Sequence, residues 1–508
     1  MPDNTEFTEL AQFDIDPRSV RLLEREYCLE NEVVVLGIVD RASQEPVTIG
    51  MLDPSRRALA HAVSKTLGRP VRAVQLNAWE IRHALDEGWG VAEESRSRLT
   101  LRPVRSISFE REGEIPDLLD EILGQAVDLK ASDVHIETYE DDVDVRFRVD
   151  GVLRQVATPL ARDHIQAAIN RLKVLSGLDV AERRKAQDGR IQATFETREG
   201  ERNVDFRLSV VPGPFGEDAV LRILDSAAPL PLEKLGLGDE ELTTFEHLIQ
   251  NPEGLILVTG PTGSGKTTSL YAALHRINTP ENKILTVEDP IEYNFAKTNQ
   301  KQVSMNMGFA DYARAFMRQN PDIILIGEIR DEDTASAAMR AAQTGHLVLS
   351  TLHTTDSVRT ISRLLTLGVD PGLIAGSLLG AMSQRLVRKL CPECRVEAAP
   401  DSREADRLDL KHDEGPFFRA KSNPDCPTCG GRGYKGRVGV YELFVLDSEL
   451  ADLIADRAPI HQIRSMAIGK GMRTLVDDAL RKAREGVTTL EEILRTVPYR
   501  MLPGGTRL

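Results

Sequence analysis

Short apolar runs separated by longer amphipathic segments dominate the C-terminal half of the chain. Each run has the length of a buried strand, and four of them mark the pattern, at residues 255–258, 283–287, 323–326 and 346–352. Strands that alternate with helical segments in this way predict a parallel sheet with crossover helices, and therefore an α/β domain. Residues 447–497 are predicted to be helical, with Thr488 and Glu491 forming a capping box for the last helix.

The N-terminal half groups its strand-like segments differently. Amphipathic helices are expected at residues 117–129 and 161–175, and Asp150-Gly151 is a strong hairpin signal between two alternating segments. Further strands follow the second helix, at residues 191–195, 204–210 and 219–224. This pattern predicts an α+β domain.

These patterns divide the 508 residues into several domains, which agrees with the length of the chain. Residues 1–95 form a small mixed domain without any catalytic spacing, and such a domain in front of an enzyme is most often a docking module. The expected division is a docking domain at 1–95, a charged linker at 96–114, an α+β domain at 115–228 and an α/β domain at 229–508.

The segment GPTGSGKTT follows the first apolar run of the α/β domain and fits the phosphate-binding loop G-x-x-x-x-G-K-[ST]. Glycines let consecutive backbone N–H groups point at phosphate oxygens, the lysine adds a charge for the β- and γ-phosphates, and the following hydroxyl ligates magnesium. A plain glycine-rich turn would not require Lys-Thr at its end. The segment therefore predicts binding of a nucleoside triphosphate by Gly260, Pro261, Thr262, Gly263, Ser264, Gly265, Lys266, Thr267 and Thr268.

Acidic residues follow two other strands of the predicted sheet. Glu328 comes after the run 323–326, where it can hold magnesium or polarise the attacking water. Glu288, Asp289 and Glu292 lie at the end of the run 283–287 and should reach the carboxyl edge of the sheet, where ligands bind. One of these three should be the base that orients water; the alternative is a solvated turn at the end of the strand.

Two histidines lie at the fourth run, His346 before it and His353 at its end. A single histidine is usually structural, but one at the carboxyl end of a sheet strand can sense the γ-phosphate. We therefore place His353 ahead of His346 as a candidate.

The net charge of −15 argues against a nucleic-acid carrier, which would show a basic stripe. No apolar run approaches the roughly 18–20 residues that span a bilayer. The N-terminus has neither the basic start nor the apolar core of a signal peptide. The protein is therefore expected in the cytoplasm, with any membrane contact made through a partner or a surface patch.

Four of the five cysteines form two CxxC pairs, Cys391 with Cys394 and Cys426 with Cys429. In a reducing compartment this spacing favours a metal over disulfides. Four thiolates would close a tetrahedral zinc shell and leave no open position for catalysis. Two disulfides or a redox CxxC remain the alternatives, whereas Cys28 reads as a small buried hydrophobe.

In this order, GPTGSGKTT, VEDPIEY, QNPDIILIGEIRD and TGHLVLSTLHTTD resemble the Walker A, Asp-box, Walker B and His-box motifs of the secretion ATPase superfamily. The closest resemblance is to type II secretion and type IV pilus assembly ATPases, and it extends through ASDVHIE, FRVDG, AERRKAQDGR and the two CxxC pairs. It covers about residues 115–500, whereas residues 1–95 match only loosely.

The resemblance implies a RecA-like P-loop NTPase domain preceded by an α+β (PAS-like) domain and a small N-terminal α+β domain. It also implies a zinc-binding insertion, at residues 388–437. ATP would lie between the RecA-like domain and the preceding domain in a homo-hexameric ring. Four arginines would reach the phosphates, from the upstream strands or from the helix before the Walker B strand: Arg207, Arg222, Arg314 and Arg318.

The first hypothesis for function is therefore a magnesium-dependent ATPase that drives pseudopilus assembly in type II secretion. It would attach peripherally to the inner membrane because its N-terminal domain binds the cytoplasmic domain of a platform protein. A pilus assembly motor shares every motif, but the front domain is short and lacks the RLG-type repeat that binds a cyclic dinucleotide in some relatives. A scaffold that binds ATP without hydrolysing it is disfavoured by the intact Lys266, Glu328 and His353, and a DNA motor by the acidic charge.

Overall fold

We describe the protein from a computed structural model. The described residues are 13, 15–39, 45–76, 80–81, 84–85, 88–89, 98–102, 114–158, 160–197, 200–225, 229–411, 414–421 and 423–506. The chain divides into two compact units, Met1–Asp225 and Ser226–Leu508, and each is described by itself.

The first unit begins with a three-stranded sheet in the order β1-β2-β3, formed by Val33–Val35, Val47–Met51 and Val71–Gln75. β1 and β2 are antiparallel, whereas β2 and β3 are parallel. The helices near this sheet are Pro17–Val20, Arg25–Asn31 and Arg57–Leu67. Cys28 is fully buried in this core, as predicted.

A seven-stranded antiparallel sheet forms the rest of the first unit, in the order β4-β8-β9-β10-β5-β6-β7. Its strands are β4 Arg98–Arg102, β5 Ala131–Thr138, β6 Val143–Val149, β7 Val152–Gln155, β8 Gln187–Thr197, β9 Gly200–Gly213 and β10 Gly216–Asp225. The helices Glu114–Asp128 and Ile165–Ser176 share a core with it. Asp150 and Gly151 both have positive φ in the β6–β7 turn, which confirms the predicted hairpin.

Part of the predicted linker 96–114 is a strand. Arg98–Arg102 pairs antiparallel with β8, from Arg98 opposite Glu196 to Arg102 opposite Gln192. The sequence RLTLR alternates polar and apolar residues, and this alternation suits a strand at the edge of a sheet. Glu114 already begins a helix, and the remaining linker positions lie outside the described residues.

The second unit is built on another seven-stranded sheet, in the order β13-β12-β14-β15-β11-β16-β19. All neighbours are parallel except β16 and β19. The strands of this unit, including the separate β17–β18 pair, are β11 Gly254–Thr259, β12 Ile284–Glu288, β13 Asn299–Gln302, β14 Ile323–Ile326, β15 Leu347–Leu352, β16 Leu378–Leu390, β17 Arg395–Glu397, β18 Phe418–Ala420 and β19 Tyr434–Val445.

Helices cover the strands of this sheet because β11, β14 and β15 are largely apolar and are buried along their whole length. Two separate hydrophobic clusters pack against the strands. The α-helices of this unit are Asp239–Ile249, Lys266–Ile277, Phe309–Phe316, Glu332–Gln343, Arg359–Thr366, Pro371–Ser377, Ser402–Leu408, Ser448–Ala455, Ile460–Gly469, Leu475–Arg484 and Leu490–Thr496.

The cap predicted for the last helix is wrong by one residue. Thr489, not Thr488, is the N-cap, and its hydroxyl accepts from the backbone N–H of Glu492 at 3.2 Å. Thr488 instead donates its hydroxyl to the carbonyl of Arg388 in β16, at 2.9 Å. A tertiary contact therefore decides which of two adjacent threonines caps the helix.

Among the described residues, no helix combines the length and the apolar character needed to cross a membrane.

Candidate functional site

The phosphate loop connects the buried strand β11 to the helix Lys266–Ile277. Gly260 and Gly265 have φ of 152° and 88°, a backbone region that favours glycine. A Cβ at Gly260 would lie 2.6 Å from the carbonyl oxygen of Gln384, so no larger residue fits there. The loop therefore brings bare backbone and a helix N-terminus together, which is an arrangement suited to a polyphosphate.

Lys266 opens the helix and folds back over its own loop. Its Nζ donates to the carbonyl oxygens of Gly260 and Pro261, both at 3.1 Å. Burial lowers the pKa of Lys266, and the Glu328 carboxylate acts in the opposite direction. Lys266 and Glu328, which are both predicted site residues, therefore interact electrostatically.

Two residues of β16 flank the loop and were not predicted. Gln384 is buried and donates from Nε2 to the carbonyl of Ser264 at 2.6 Å. Arg385 is also buried, with its Nη1 3.2 Å from where a Gly260 Cβ would be. The available signal was the polar run Ser-Gln-Arg that follows the apolar start of this strand.

The other residues of the predicted loop also line this turn. Thr267 is half-buried in the first turn of the helix, whereas Pro261, Thr262, Gly263 and Thr268 are exposed. The buried hydroxyl of Ser264 has no hydrogen-bond partner within the described part of the chain. A hydroxyl without a described partner, beside exposed loop backbone, is suited to a ligand with many acceptor oxygens.

Glu328 follows β14, and this strand is not a direct neighbour of the phosphate-loop strand β11. β15 pairs with both β14 and β11 and separates them. Glu328 nevertheless reaches the same edge, with a side chain that is 17% exposed. It forms an ion pair with Arg330, and its Oε2 lies 3.3 Å from Nε2 of His353. Arg330 lies within the Walker B segment, two residues after Glu328, but sequence reasoning did not single it out.

The three acids of the Asp-box turn differ in their surroundings. Glu288 ends β12 and is buried, where it accepts hydrogen bonds from Tyr271, Thr286 and Gln300. Asp289 and Glu292 are exposed, and Asp289 lies 3.8 Å from Arg330. Only Asp289 and Glu292 therefore present a carboxylate toward solvent.

The two histidines lie at opposite ends of β15. His353 follows Leu352, which pairs with Thr259 next to the phosphate loop. His346 precedes Leu347 at the amino end, and its Nδ1 lies 2.9 Å from the carbonyl of Ala341. Six residues of strand separate them by about 20 Å. The prediction of His346 as a site residue is therefore not supported within this unit, because it lies at the wrong edge of the sheet.

Arg314 and Arg318 are exposed and lie on or just after the helix Phe309–Phe316. Arg314 forms an ion pair with Asp333 at 2.7 Å, and Arg318 donates to the carbonyl of Arg314 at 3.3 Å. Neither side chain makes a described contact with the phosphate loop. Their approach to a nucleotide remains a prediction.

Arg207 and Arg222 are directly opposite each other on β9 and β10 of the first unit. Arg222 donates from Nε to Asp133 at 3.1 Å and remains 57% exposed. The register also places Arg190 opposite Arg207, so three arginines form a row across adjacent strands. Whether this row reaches a nucleotide is again a prediction.

The four cysteines of the CxxC pairs form one buried cluster. The Sγ atoms of Cys391 and Cys426 are 3.7 Å apart, and those of Cys394 and Cys429 are 3.6 Å apart. A tetrahedral metal with ligands at about 2.3 Å requires sulfur separations of about 3.8 Å, whereas a disulfide requires about 2.05 Å. The donor set and its spacing therefore fit one tetrahedral metal ion and not two disulfides.

Residues 109–495 match the sequence profile of a family described as "Type II/IV secretion system protein", and residues 4–88 match the MshEN domain. The type II secretion system ATPase E of Vibrio cholerae is 40% identical over 89% of this chain and 90% of its own length. The type IV pilus assembly ATPase PilB of Thermus thermophilus is 40% identical over 95% of this chain. The chain spans only 55% of the length of that relative.

A crystal structure of the ATPase DotB from Legionella pneumophila has the same fold. It superimposes with a TM-score of 0.55 at 25% identity, covering 77% of this chain and 97% of DotB. The likeness confirms the expected RecA-like α/β architecture. Together with the profile match over most of the sequence, it shows that the chain belongs to the type II/IV secretion system protein family.

Proposed function

We propose that the chain is a motor ATPase that hydrolyses ATP to drive pseudopilus assembly in type II protein secretion. The observation that carries the proposal is the common edge of one sheet, which holds the phosphate loop, Glu328 and His353. The name of the Vibrio relative, with similar length and 40% identity, supports the secretion role.

Assembly of a type IV pilus is the second candidate. The Thermus relative named for that function matches 95% of this chain at the same identity. The two functions share the site chemistry, so they differ in partner and not in reaction. The two functions can be distinguished in a strain that lacks the gene, by measuring whether pseudopilin polymerisation or pilin polymerisation is lost.

In the proposed reaction, Lys266 and the loop backbone bind the β- and γ-phosphates, and the Thr267 hydroxyl would hold magnesium. Magnesium, when bound, supplies positive charge to the phosphate oxygens. Glu328 orients or deprotonates the attacking water, with Asp289 and Glu292 as nearby carboxylates, and His353 senses the γ-phosphate. Arginine suits phosphate because its guanidinium is permanently charged and bidentate, and Arg207, Arg222, Arg314 and Arg318 are proposed for that role in a homo-hexamer.

The tetracysteine cluster is proposed to hold zinc through Cys391, Cys394, Cys426 and Cys429. Its role is to fold the module 388–437, because four protein ligands leave no position for a substrate.

The proposed division of the chain is a docking domain at 1–95, an α+β domain at 115–228 and the ATPase domain at 229–508. The docking domain would bind the cytoplasmic part of an inner-membrane platform protein, which places the motor at the cytoplasmic face of that membrane.

Replacement of Lys266 tests the ATPase assignment. Lys266→Ala should abolish phosphate release from ATP and leave the chain folded, because the hydrogen bonds described for its amino group go to two loop carbonyls and not to the core. Phosphate release and a circular dichroism spectrum are compared with those of Lys297→Ala, an exposed lysine outside the site. Undiminished release by the Lys266 variant would remove the assignment.

A further inference from the structure

Tyr271 lies in the second turn of the helix that begins at the phosphate loop. The side chain is buried, with its ring edge-on to Phe295 at a centroid distance of 5.1 Å. Since the helix starts at Lys266, the tyrosine has a fixed position relative to the loop that is proposed to bind the phosphates.

The hydroxyl of Tyr271 makes a hydrogen bond to each end of the Asp-box turn. It donates to the carboxylate of Glu288 and accepts from the backbone N–H of Glu292 at 3.2 Å. One oxygen therefore connects the phosphate-loop helix to the whole turn from residue 288 to residue 292.

Glu288 is held by two further donors. Thr286 donates from Oγ1 at 2.5 Å and Gln300 from Nε2 at 3.1 Å, both to Oε1. A carboxylate that is 4% exposed needs such donors, because an unpaired buried charge is costly. Burial raises the pKa of Tyr271, and the charge of Glu288 raises it further, so the hydroxyl keeps the proton that it donates.

We propose that Tyr271 is a positioning residue for hydrolysis, and that Glu288 is its structural anchor and not the general base. Tyr271 fixes the turn so that the exposed carboxylates of Asp289 and Glu292 keep their position relative to the phosphate loop. The inference concerns the same site. Its expected effect on kcat rests on the proposed ATPase function, whereas the fixed position of the turn does not.

Hydrogen exchange tests the structural part without any turnover. Tyr271→Phe keeps the ring and removes only the hydroxyl, so the amide of Glu292 should exchange faster, by about tenfold. Tyr293→Phe is the matched control because that ring packs against the same Phe295, and it joins the described network through its carbonyl and not through the hydroxyl that the change removes. Equal exchange at residue 292 in the parent and Tyr271→Phe would overturn the inference, whether or not the protein hydrolyses ATP.

Steady-state kinetics test the positioning role. Tyr271→Phe should lower kcat by about tenfold with KM for ATP within about twofold, because ATP still binds the intact loop. Tyr293→Phe should match the parent. An unchanged kcat, or a loss confined to KM, would contradict a positioning role, whereas a parent without Lys266-dependent turnover would contradict the proposed function instead.

Comparing the single and double variants tests whether Glu288 is a structural anchor or the general base. If Glu288 acts only through Tyr271, combining Tyr271→Phe with Glu288→Gln should lower kcat no further than the more damaging single change. If Glu288 is the base, Glu288→Gln alone should cost at least about a hundredfold, and the tyrosine change should add to that loss. The second result would overturn the assignment of Glu288.

Discussion

Both oxygens of the Glu328 carboxylate have a partner. Arg330 forms an ion pair with Oε1, and Nε2 of His353 lies 3.3 Å from Oε2. The Arg330 guanidinium also lies 3.8 Å from Asp289 and over the ring of Phe309, so its own position is fixed from two sides. A planar guanidinium fixes the direction of a carboxylate better than an ammonium group does. We infer that Arg330 orients Glu328.

Replacing Arg330 should therefore affect turnover more than binding. Arg330→Gln is expected to lower kcat by about tenfold with little change in KM for ATP, because small displacements of a reacting group are costly. Arg330→Lys should recover only part of the loss. Arg340→Gln, an exposed change on the helix Glu332–Gln343, serves as the control. Parent-like kcat in Arg330→Gln would show that Glu328 needs no such partner.

The last helix, Leu490–Thr496, carries one buried carboxylate that hydrogen-bonds to the central sheet. Glu492 is fully buried and accepts from the backbone N–H of Arg388 at 3.0 Å and from its Nη2 at 2.6 Å. Arg495 adds two hydrogen bonds, both at 2.8 Å. Burial disfavours the charge of Glu492, but the hydrogen bonds from Arg495 and Arg388 outweigh it and lower its pKa to about 2.

This pKa predicts a specific pH dependence. A carboxyl whose pKa is lowered on folding stabilises the folded state above its unfolded pKa of 4.5 and loses that effect as the pH falls toward about 2. The contribution near pH 7 is at most about 3 kcal/mol. Glu492→Gln should lower the denaturation midpoint strongly at pH 7 and much less at pH 3. The exposed Glu491→Gln is the control, and a pH-independent difference would contradict the assignment.

The features that could be predicted from the sequence are those formed by residues that are adjacent along the chain. The phosphate loop, the hairpin at Asp150-Gly151 and the CxxC pairs are contiguous, so their residues carry the full signal. Gln384 and Arg385 reach the loop only because β16 pairs with β11, and no local pattern reveals that pairing. For the same reason, the position of β15 between β14 and β11, and the burial of Glu288, required the structure.

The metal proposal can be tested on the complete chain. Cys394→Ser should reduce the zinc content from about one per chain to near zero and expose residues 390–436 to protease, because metal binding and local folding are coupled. ATP binding should change less than about twofold, since the phosphate loop has its own buried strand. Cys28→Ser, in the first unit, should retain the metal. Metal-free parent protein with paired, oxidised thiols would refute the proposal.

The long strand β16 joins these two sites directly. Near its middle, Gln384 holds the phosphate loop, and just past its end is Cys391, the first cysteine of the cluster. Six residues lie between them, and the seven steps from Gln384 to Cys391 span about 23 Å of extended chain. β16 is also paired with β19 from Gly380 to Leu390, so the two strands form one ribbon between the loop and the cluster. A tilt of only a few degrees at the loop would move the cysteine cluster by about 1–2 Å over that length. We therefore expect a change at the phosphate loop to be measurable as a displacement of the cysteine cluster, with the four sulfur atoms keeping their positions relative to one another.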